Sequence, residues 1–233
     1  MKTGPCIILI GLMIICNAVS CKWNPNHYDP DTQTVSTPDT ANGTNGFKSE
    51  AEAYESADRV IWQKPDLVID QLGNVNGKVV ADLGAGTGYF SRRIAYKGAK
   101  VIAIDIDPLA IKWMEEQKER FPVELQERLV IRKAEPDNPM LNPNEVDMVL
   151  LVNTYSYIEN RVSYFTNLMQ AIRPGGTIII IDFKKKPTPF GPPMKERLDV
   201  ADVQSELRSA GYSIVKVDEE SLDYQYIIKA RRA

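Results

Sequence analysis

The chain has 233 residues, of which 43% are hydrophobic and 25% are charged, as is ordinary for a globular protein. Its net charge of −3 argues against a strongly basic surface that would bind nucleic acid or an anionic membrane through charge alone. All three cysteines lie within the first 21 residues and the single histidine is His27, so the rest of the chain offers neither thiol nor imidazole for catalysis or metal binding. We therefore predict no metal site.

The N-terminal residues have the pattern of an export signal. Lys2 is followed by an apolar run over residues 6–16, which is shorter than the ~20 residues that a membrane-spanning helix needs. The segment Ala18-Val19-Ser20-Cys21 resembles the lipobox of bacterial lipoproteins, although Ala18 stands where leucine is more usual. The resemblance implies a signal peptide over residues 1–20, lipid on Cys21, and attachment to the bacterial cell envelope, either in the periplasm or at the outer membrane. The alternatives are a secretory signal without lipid and a buried N-terminal helix, which would make the protein secreted or cytoplasmic.

Residues 22–49 are predicted to form a linker, because they are rich in proline, glycine, asparagine and aspartate and contain few apolar residues. A folded domain is expected over residues 50–233. Its first elements are helices over 50–59, which Ser49 or Ser56 would cap, and over 66–72, with Pro65 in the first turn.

The sequence Asp82-Leu83-Gly84-Ala85-Gly86-Thr87-Gly88 is the most informative segment of the chain. It follows an apolar run over 78–81 that is typical of a buried strand, and it precedes the start of a helix over 89–95. Glycines permit positive φ and close backbone approach, and the N–H groups at a helix start attract anionic or polar groups. This order of elements predicts a cradle for a ligand.

The remaining segments alternate between strands and helices. Strands are predicted at 100–105, 129–132, 146–152 and 177–181, helices at 108–120, 157–173 and 199–210, and final strands at 213–217 and 224–229. This alternation predicts an α/β fold with a doubly wound, mostly parallel sheet. Only six residues separate the last two strands, which permits a hairpin but no helical crossover, so the sheet is expected to end in an antiparallel strand.

Several polar residues fall at the carboxyl ends of the predicted strands, where ligands bind in such sheets. Asp105 ends the second strand, 19 residues after Gly86, at a point where a carboxylate can accept both hydroxyls of a ribose. Asn153 and Tyr155 follow the fourth strand, and Asp182 and Lys184 follow the fifth.

The glycine-rich segment resembles motif I of the class I S-adenosylmethionine (SAM)-dependent methyltransferases. Asp105, Asp147 and the turn Arg173-Pro174-Gly175-Gly176 also match that family. The resemblance covers residues 60–229 and implies a seven-stranded sheet of order 3-2-1-4-5-7-6, SAM as cofactor, and methyl transfer to an unidentified small molecule.

The resemblance also implies roles for individual residues. Gly84, Gly86 and Gly88, with Ala85 between them, would line the methionine part of SAM, and Asp82 would lie near its ammonium group. Asp105 would bind the ribose, and Ile106 would pack on the adenine. Glu135 or Asp137 would bond the adenine amino group, and Asn153 would line the sulfonium region.

If the methyl acceptor must lose a proton, histidine is unavailable as the base. The candidates are Asp182, Tyr155 and Lys184, since carboxylates, tyrosines and lysines can all serve when their pKa is perturbed. The alternatives are packing for Tyr155 and a solvated loop for Lys184. The proline-rich stretch 187–193 is predicted to form a lid or wall over the acceptor site.

Two other functions remain open from the sequence. A nicotinamide-dependent oxidoreductase would use a similar glycine loop, but Asp82 and the final hairpin favour SAM. A lipoprotein of the cell envelope that binds SAM without catalysing a reaction is the other alternative, because SAM is made in the cytoplasm.

Overall fold

The computed structural model describes residues 58–232 together with Phe47, Ala51, Glu55 and Ser56. The predicted signal peptide, Cys21 and residues 22–46 lie outside the described residues. The helices are α1 (Asp58–Gln63), α2 (Pro65–Asp70), α3 (Tyr89–Tyr96), α4 (Pro108–Lys118), α5 (Val123–Arg128), α6 (Arg161–Ala171) and α7 (Val200–Ser209). The strands are β1 (Val79–Leu83), β2 (Lys100–Asp105), β3 (Leu129–Lys133), β4 (Val146–Val152), β5 (Ile172–Phe183), β6 (Tyr212–Asp218) and β7 (Gln225–Arg232).

The seven strands form one sheet of order β3-β2-β1-β4-β5-β7-β6, which confirms the predicted fold class. Strands β1 to β5 pair in parallel, whereas β7 is antiparallel to both β5 and β6. The short β6–β7 connection leaves only a hairpin, as the spacing predicts. The sheet therefore places the carboxyl ends of β1 to β5 along one edge.

Helices cover both faces of the sheet, and the central strands are apolar on both faces as a result. In β5 the four residues Ile178 to Ile181 are fully buried. Their side chains alternate between two core clusters, one on each face of the sheet. This packing fixes the strand ends that carry the polar residues of the site.

Several boundaries differ from prediction. Strands β1 and β5 run on through Leu83 and Phe183, so Asp82 and Asp182 lie inside strands. Helix α6 begins at Arg161 because Asn160 adopts a left-handed conformation with φ 46°, after a short 3₁₀ turn at Tyr155–Tyr157. The predicted Pro174-Gly175-Gly176 turn is an irregularity within β5, where the register with β4 shifts. Helix α5 was not predicted.

The folded unit extends further towards the N-terminus than predicted. Phe47, which falls in the predicted linker, is helical and packs its ring against Trp113 with a centroid distance of 6.1 Å. Ala51 is buried in the same cluster beside Ala110. Phe47, three residues before the predicted domain start at residue 50, thus packs against α4. A helix also runs over Asp58–Gln63, and the Ser56 hydroxyl accepts from the Asp58 N–H at 3.3 Å.

Within the part of the chain that the structure describes, no helix is both long and apolar enough to cross a membrane.

Candidate functional site

A cavity of about 880 Å³ opens at the carboxyl edge of the sheet, within the range of small-molecule sites. It lies over the ends of β1, β2, β3 and β4 and the start of α6. Its lining residues are Arg59, Leu83, Gly84, Ala85, Gly86, Thr87, Ile104, Asp105, Ile106, Ala134, Glu135, Pro136, Asp137, Val152, Asn153, Thr154, Tyr157, Ile158, Glu159, Asn160, Ser163, Tyr164 and Asn167.

The glycine loop forms the floor of this cavity. The backbone N–H groups of Gly84 and Ala85 both donate to the Ile104 carbonyl at 2.9 Å, which ties the loop to β2. Gly84 has φ 76°, and a Cβ there would lie 2.2 Å from the Thr154 Oγ1, so only glycine fits. Gly86 also has positive φ, but a Cβ there would meet no atom within 4 Å. Gly84 is thus required by the fold, whereas Gly86 leaves space for a ligand.

Asp105 connects β2 to the loop. One carboxylate oxygen accepts from the Gly86 N–H at 2.8 Å, and the other accepts from the Asp107 N–H at 3.0 Å. Burial raises the pKa of Asp105, while these backbone N–H groups oppose that shift. Each oxygen keeps lone pairs that can accept from a ligand hydroxyl in the cavity.

The cavity wall beside β2 and β3 combines apolar and acidic groups. Ile106 is 53% exposed and offers an apolar surface, and Glu135 and Asp137 also line the cavity. The Glu135 N–H donates to the Asn138 carbonyl at 3.0 Å, which closes a tight turn around Asp137. This part of the cavity therefore offers an aliphatic side chain and polar groups to the same ligand.

Asn153 lies at the end of β4, where the strand meets the cavity. Its backbone is left-handed with φ 57°, a conformation that asparagine tolerates better than most residues. Its N–H donates to the Ile181 carbonyl at 2.8 Å, which continues the pairing with β5. This hydrogen bond therefore holds the Asn153 backbone in place in the cavity wall.

Asp82 and Gly88, which the resemblance places against the ligand, do not line this cavity. The Asp82 side chain is buried, and the Ser91 hydroxyl donates to its carboxylate at 2.6 Å. Burial raises the pKa of Asp82 to about 6, while the Ser91 hydrogen bond and the charge of Arg59 oppose the shift. Gly88 packs against Met114 behind the loop. Both residues thus lie outside the cavity lining, where Asp82 contacts α3 and Gly88 contacts α4.

The three candidate bases also lie away from the cavity lining. Tyr155 is fully buried, its ring stacks on Phe165 with a centroid distance of 4.8 Å, and its hydroxyl donates to Glu206 at 2.8 Å. Burial and the Glu206 carboxylate raise the pKa of Tyr155, so its phenol stays protonated. The 3₁₀ turn directs this side chain into the core, and we correct its predicted role to packing.

Asp182 and Lys184 are engaged elsewhere. Asp182 is 3% exposed and accepts from the Phe183 N–H at 2.8 Å, and burial raises its pKa to about 6. The Lys184 ammonium donates to the carbonyls of Leu222 and Asp223 at 2.6 and 3.3 Å. Because β5 continues past the predicted strand end, Asp182 is buried where β5 pairs with β7, and neither side chain lines the cavity, which corrects their predicted placement there.

The proline-rich stretch after β5 packs against α1. Phe190 packs against Trp62 with a centroid distance of 4.6 Å, and the Arg197 guanidinium donates to the Pro192 and Lys186 carbonyls at 2.8 and 2.7 Å. The stretch 187–193 therefore does not line the cavity, and a lid or wall over the acceptor site stays a prediction.

Sequence reasoning missed the contribution of the segment before β1. Glu55 accepts from the Thr87 hydroxyl at 2.7 Å and forms an ion pair with Arg92, so it ties this segment to the glycine loop and α3. Arg59 lines the cavity, and its guanidinium lies 4.3 Å from the centre of the Tyr89 ring. The charged residues were visible in the sequence, but no pattern linked them to a loop about thirty residues away.

The described residues contain no group of three or more histidine, cysteine, aspartate or glutamate side chains that could hold a metal ion.

Comparison with known proteins agrees with this architecture. Residues 81–180 match the family model described as a methyltransferase domain. The chain is 26% identical over 144 residues to a demethylmenaquinone methyltransferase of Tropheryma whipplei, covering 59% of this chain and 57% of that protein. It is 24% identical over 127 residues to a ubiquinone biosynthesis O-methyltransferase of Aeromonas salmonicida, covering 54% and 51%. The chain thus spans little more than half the length of these relatives.

Solved structures share the fold. A SAM-dependent methyltransferase from Aquifex aeolicus superposes with a TM-score of 0.73 at 23% identity, covering 79% of this chain and 98% of that one. The [4+2]-cyclase SpnF also superposes, with a TM-score of 0.64 at 14% identity, covering 73% and 80%. Residues 81–180 are therefore similar to a methyltransferase domain, and the chain has the Rossmann-like fold of these solved structures.

Proposed function

We propose that the protein transfers a methyl group from SAM to a small-molecule acceptor. The observation that carries this proposal is the cavity itself, in which the Gly84–Gly86 loop, Asp105 and Asn153 meet at the carboxyl edge of the sheet. Two proteins to which the chain is similar are named a demethylmenaquinone methyltransferase and a ubiquinone biosynthesis O-methyltransferase, and these names support a small-molecule acceptor.

The residues of the cavity fit SAM by their chemistry. The open space at Gly86 lets a ligand approach the backbone, and the Asp105 carboxylate retains lone pairs for ribose hydroxyls. Ile106 and Glu135 would hold the adenine between an apolar and a polar side. When bound, SAM supplies a methyl group that its sulfonium already activates, so positioning accounts for much of the catalysis.

The chain's own residues would position the acceptor and exclude water. The candidate bases lie outside the cavity, so we propose that the acceptor is a good nucleophile without a side chain that removes its proton. Asn153, Tyr157 and Arg59 are then the polar residues on the side of the cavity where the acceptor would enter.

Calorimetric titration of the full chain with S-adenosylhomocysteine, the product form of the cofactor, tests the proposal. We expect micromolar binding that Gly86→Arg abolishes while the circular dichroism spectrum stays unchanged. NAD serves as the control ligand. Absence of binding to S-adenosylhomocysteine would refute the proposed function.

A second candidate function is binding without methyl transfer. The absence of the candidate bases from the cavity lining favours it, and the SpnF comparison supports it, because that cyclase has the same fold. Incubation with methyl-labelled SAM and a metabolite extract separates the two candidates. Labelled product supports the methyltransferase, and tight binding with no labelled product supports the second candidate.

We also propose that the chain is anchored to the bacterial cell envelope by lipid on Cys21. The lipobox-like segment Ala18–Cys21 is the only support for this, and it lies outside the described residues. Fractionation of cells that express the wild type and Cys21→Ser tests it. A membrane-bound wild type and a released variant are expected, and an identical distribution of both would refute the anchor.

A further inference from the structure

A row of buried amide side chains connects helix α1 to the cavity. The Arg59 Nε donates to the Gln63 Oε1, and the Gln63 Nε2 donates to the Gln225 Oε1 at 3.3 Å. The Gln225 Nε2 then donates to the Asn153 Oδ1. These four residues come from α1, the start of β7 and the end of β4, so the row exists only in the folded chain.

Arg59 determines the direction of every hydrogen bond in this row. A guanidinium donates and never accepts, so the Gln63 group that faces Arg59 must be its carbonyl oxygen. The Gln63 amide nitrogen then faces Gln225, so the Gln225 oxygen must accept from it. The Gln225 nitrogen is left to donate to the Asn153 oxygen. Gln63 and Gln225 are fully buried, so water does not substitute for either partner. Arg59 therefore fixes the orientation of the Gln63, Gln225 and Asn153 amides.

The last member of the row is Asn153, which lines the cavity. Its oxygen is occupied by Gln225, and no hydrogen bond from its Nδ2 is formed to any described residue. Among the described residues, the buried polar side-chain atoms without a partner belong to Tyr89, Ser156 and Thr177. The Asn153 Nδ2 is therefore accessible, and the row presents an N–H donor to the cavity.

We propose that Asn153 is a specificity-determining residue that donates a hydrogen bond to an oxygen of the methyl acceptor, and that Arg59, Gln63 and Gln225 are positioning residues that hold its amide in this orientation. The proposal rests on the proposed function. A hydroxyl, carbonyl or carboxylate oxygen accepts from the Asn153 amide, whereas an ammonium or amine N–H would face another donor. Discrimination of this kind is strong when a mismatched ligand leaves a polar group unpaired.

Two substitutions would present an acceptor oxygen to the cavity in place of the Asn153 N–H donor. In Gln225→Glu, the carboxylate accepts from both Gln63 and Asn153, so the Asn153 amide turns and presents its oxygen to the cavity. In Asn153→Asp, Gln225 still donates to one oxygen and the second carboxylate oxygen faces the cavity. Gln225→Met is the matched control, since it breaks the row without imposing either orientation.

Side-chain amide exchange measured by NMR on the ¹⁵N-labelled full chain tests the orientation. In the wild type, the Asn153 amide protons are expected to exchange with water at least tenfold faster than the Gln225 proton that bonds Asn153. In Gln225→Glu, with the backbone spectrum retained, Asn153 exchange slows by a similar factor. Slow Asn153 exchange in the wild type, or no change in Gln225→Glu, would overturn the proposed orientation.

Acetophenone, whose carbonyl only accepts, and benzylammonium, whose ammonium only donates, are titrated in the presence of S-adenosylhomocysteine to test the acceptor class. Acetophenone is expected to shift the wild-type Asn153 amide resonance at lower concentration than benzylammonium, and the Asn153→Asp variant is expected to bind benzylammonium more tightly than acetophenone. Equal responses, or none to either probe, would overturn the proposed specificity. Failure to bind S-adenosylhomocysteine would instead refute the proposed function and leave the exchange result intact.

Discussion

Substitution of Gly84 by alanine should reveal how closely the glycine loop packs against the end of β4. The new Cβ would lie 2.2 Å from the Thr154 Oγ1, 2.4 Å from its Cγ2 and 2.9 Å from its Cβ. Thr154 also bonds the Val152 carbonyl at 3.1 Å, so its side chain cannot turn away without losing that bond. The loop, the strand end or both must move.

The magnitude follows from two costs. A side chain at the left-handed φ of 76° costs about 1–2 kcal/mol, and overpacking against Thr154 adds about 1–3 kcal/mol. Gly86→Ala is the matched control, because its φ is 56° but its Cβ meets no atom within 4 Å. It should cost only the backbone contribution of about 1–2 kcal/mol.

Urea unfolding of the two variants measures these costs, and calorimetry with S-adenosylhomocysteine measures binding. We expect Gly84→Ala to lose more free energy of unfolding than Gly86→Ala, and Thr154→Ala to restore at least about 1 kcal/mol in the double variant. Gly86→Ala should instead lose more binding, because its Cβ projects into the cavity. Equal destabilisation of the two glycine variants, or no rescue by Thr154→Ala, would refute the steric argument.

Three further predictions follow from single contacts. Asp105→Asn should weaken S-adenosylhomocysteine binding ten- to a hundredfold in calorimetry, about 1.4–3 kcal/mol, because a carboxylate accepts more strongly than an amide; unchanged affinity would contradict the assigned role. Tyr155→Phe should cost about 0.5–1.5 kcal/mol in urea unfolding through loss of the Glu206 hydrogen bond, and should leave methyl transfer within threefold; a hundredfold loss of turnover in a folded variant would restore Tyr155 as a catalytic candidate. The bidentate bond to Arg132 lowers the pKa of Glu145 to about 2 from 4.5, so this pair stabilises the fold above pH 4.5 and its contribution is lost as the pH falls towards 2. Glu145→Gln should therefore cost about 1–2 kcal/mol at pH 7 and almost nothing at pH 2, and pH-dependent unfolding curves that stay parallel would contradict this.

Much of the fold could be predicted from local patterns. The bounds of β2 and β4 match the apolar runs that predicted them, because a strand buried on both faces is apolar at every position. Asp105 was placed at the cavity by its spacing from Gly86, since a βαβ unit brings those two positions to the same edge. The antiparallel end of the sheet followed from the short connection between the last two strands.

The side-chain directions at the ends of β4 and β5 could not be predicted in the same way. Tyr155 and Asp182 follow or end strands at the correct edge, yet one turns into the core beside Phe165 and the other is buried within β5. The left-handed residues Asn153 and Asn160 change the chain direction around Tyr155, and no pattern of apolar residues specifies that change.

The sequence by itself therefore determined the succession of strands and helices along the chain, the glycine loop and the acidic residue that holds it, because each depends on neighbours in the chain or on a repeating unit. The order of the strands within the sheet came only from the family resemblance. Only the tertiary structure decided which polar groups face the cavity. Gln63 and Gln225 are 162 residues apart, and the direction of their hydrogen bond is set by Arg59 through contacts that form when α1 packs beside β7. The donor that Asn153 offers to the cavity is thus a property of the folded chain.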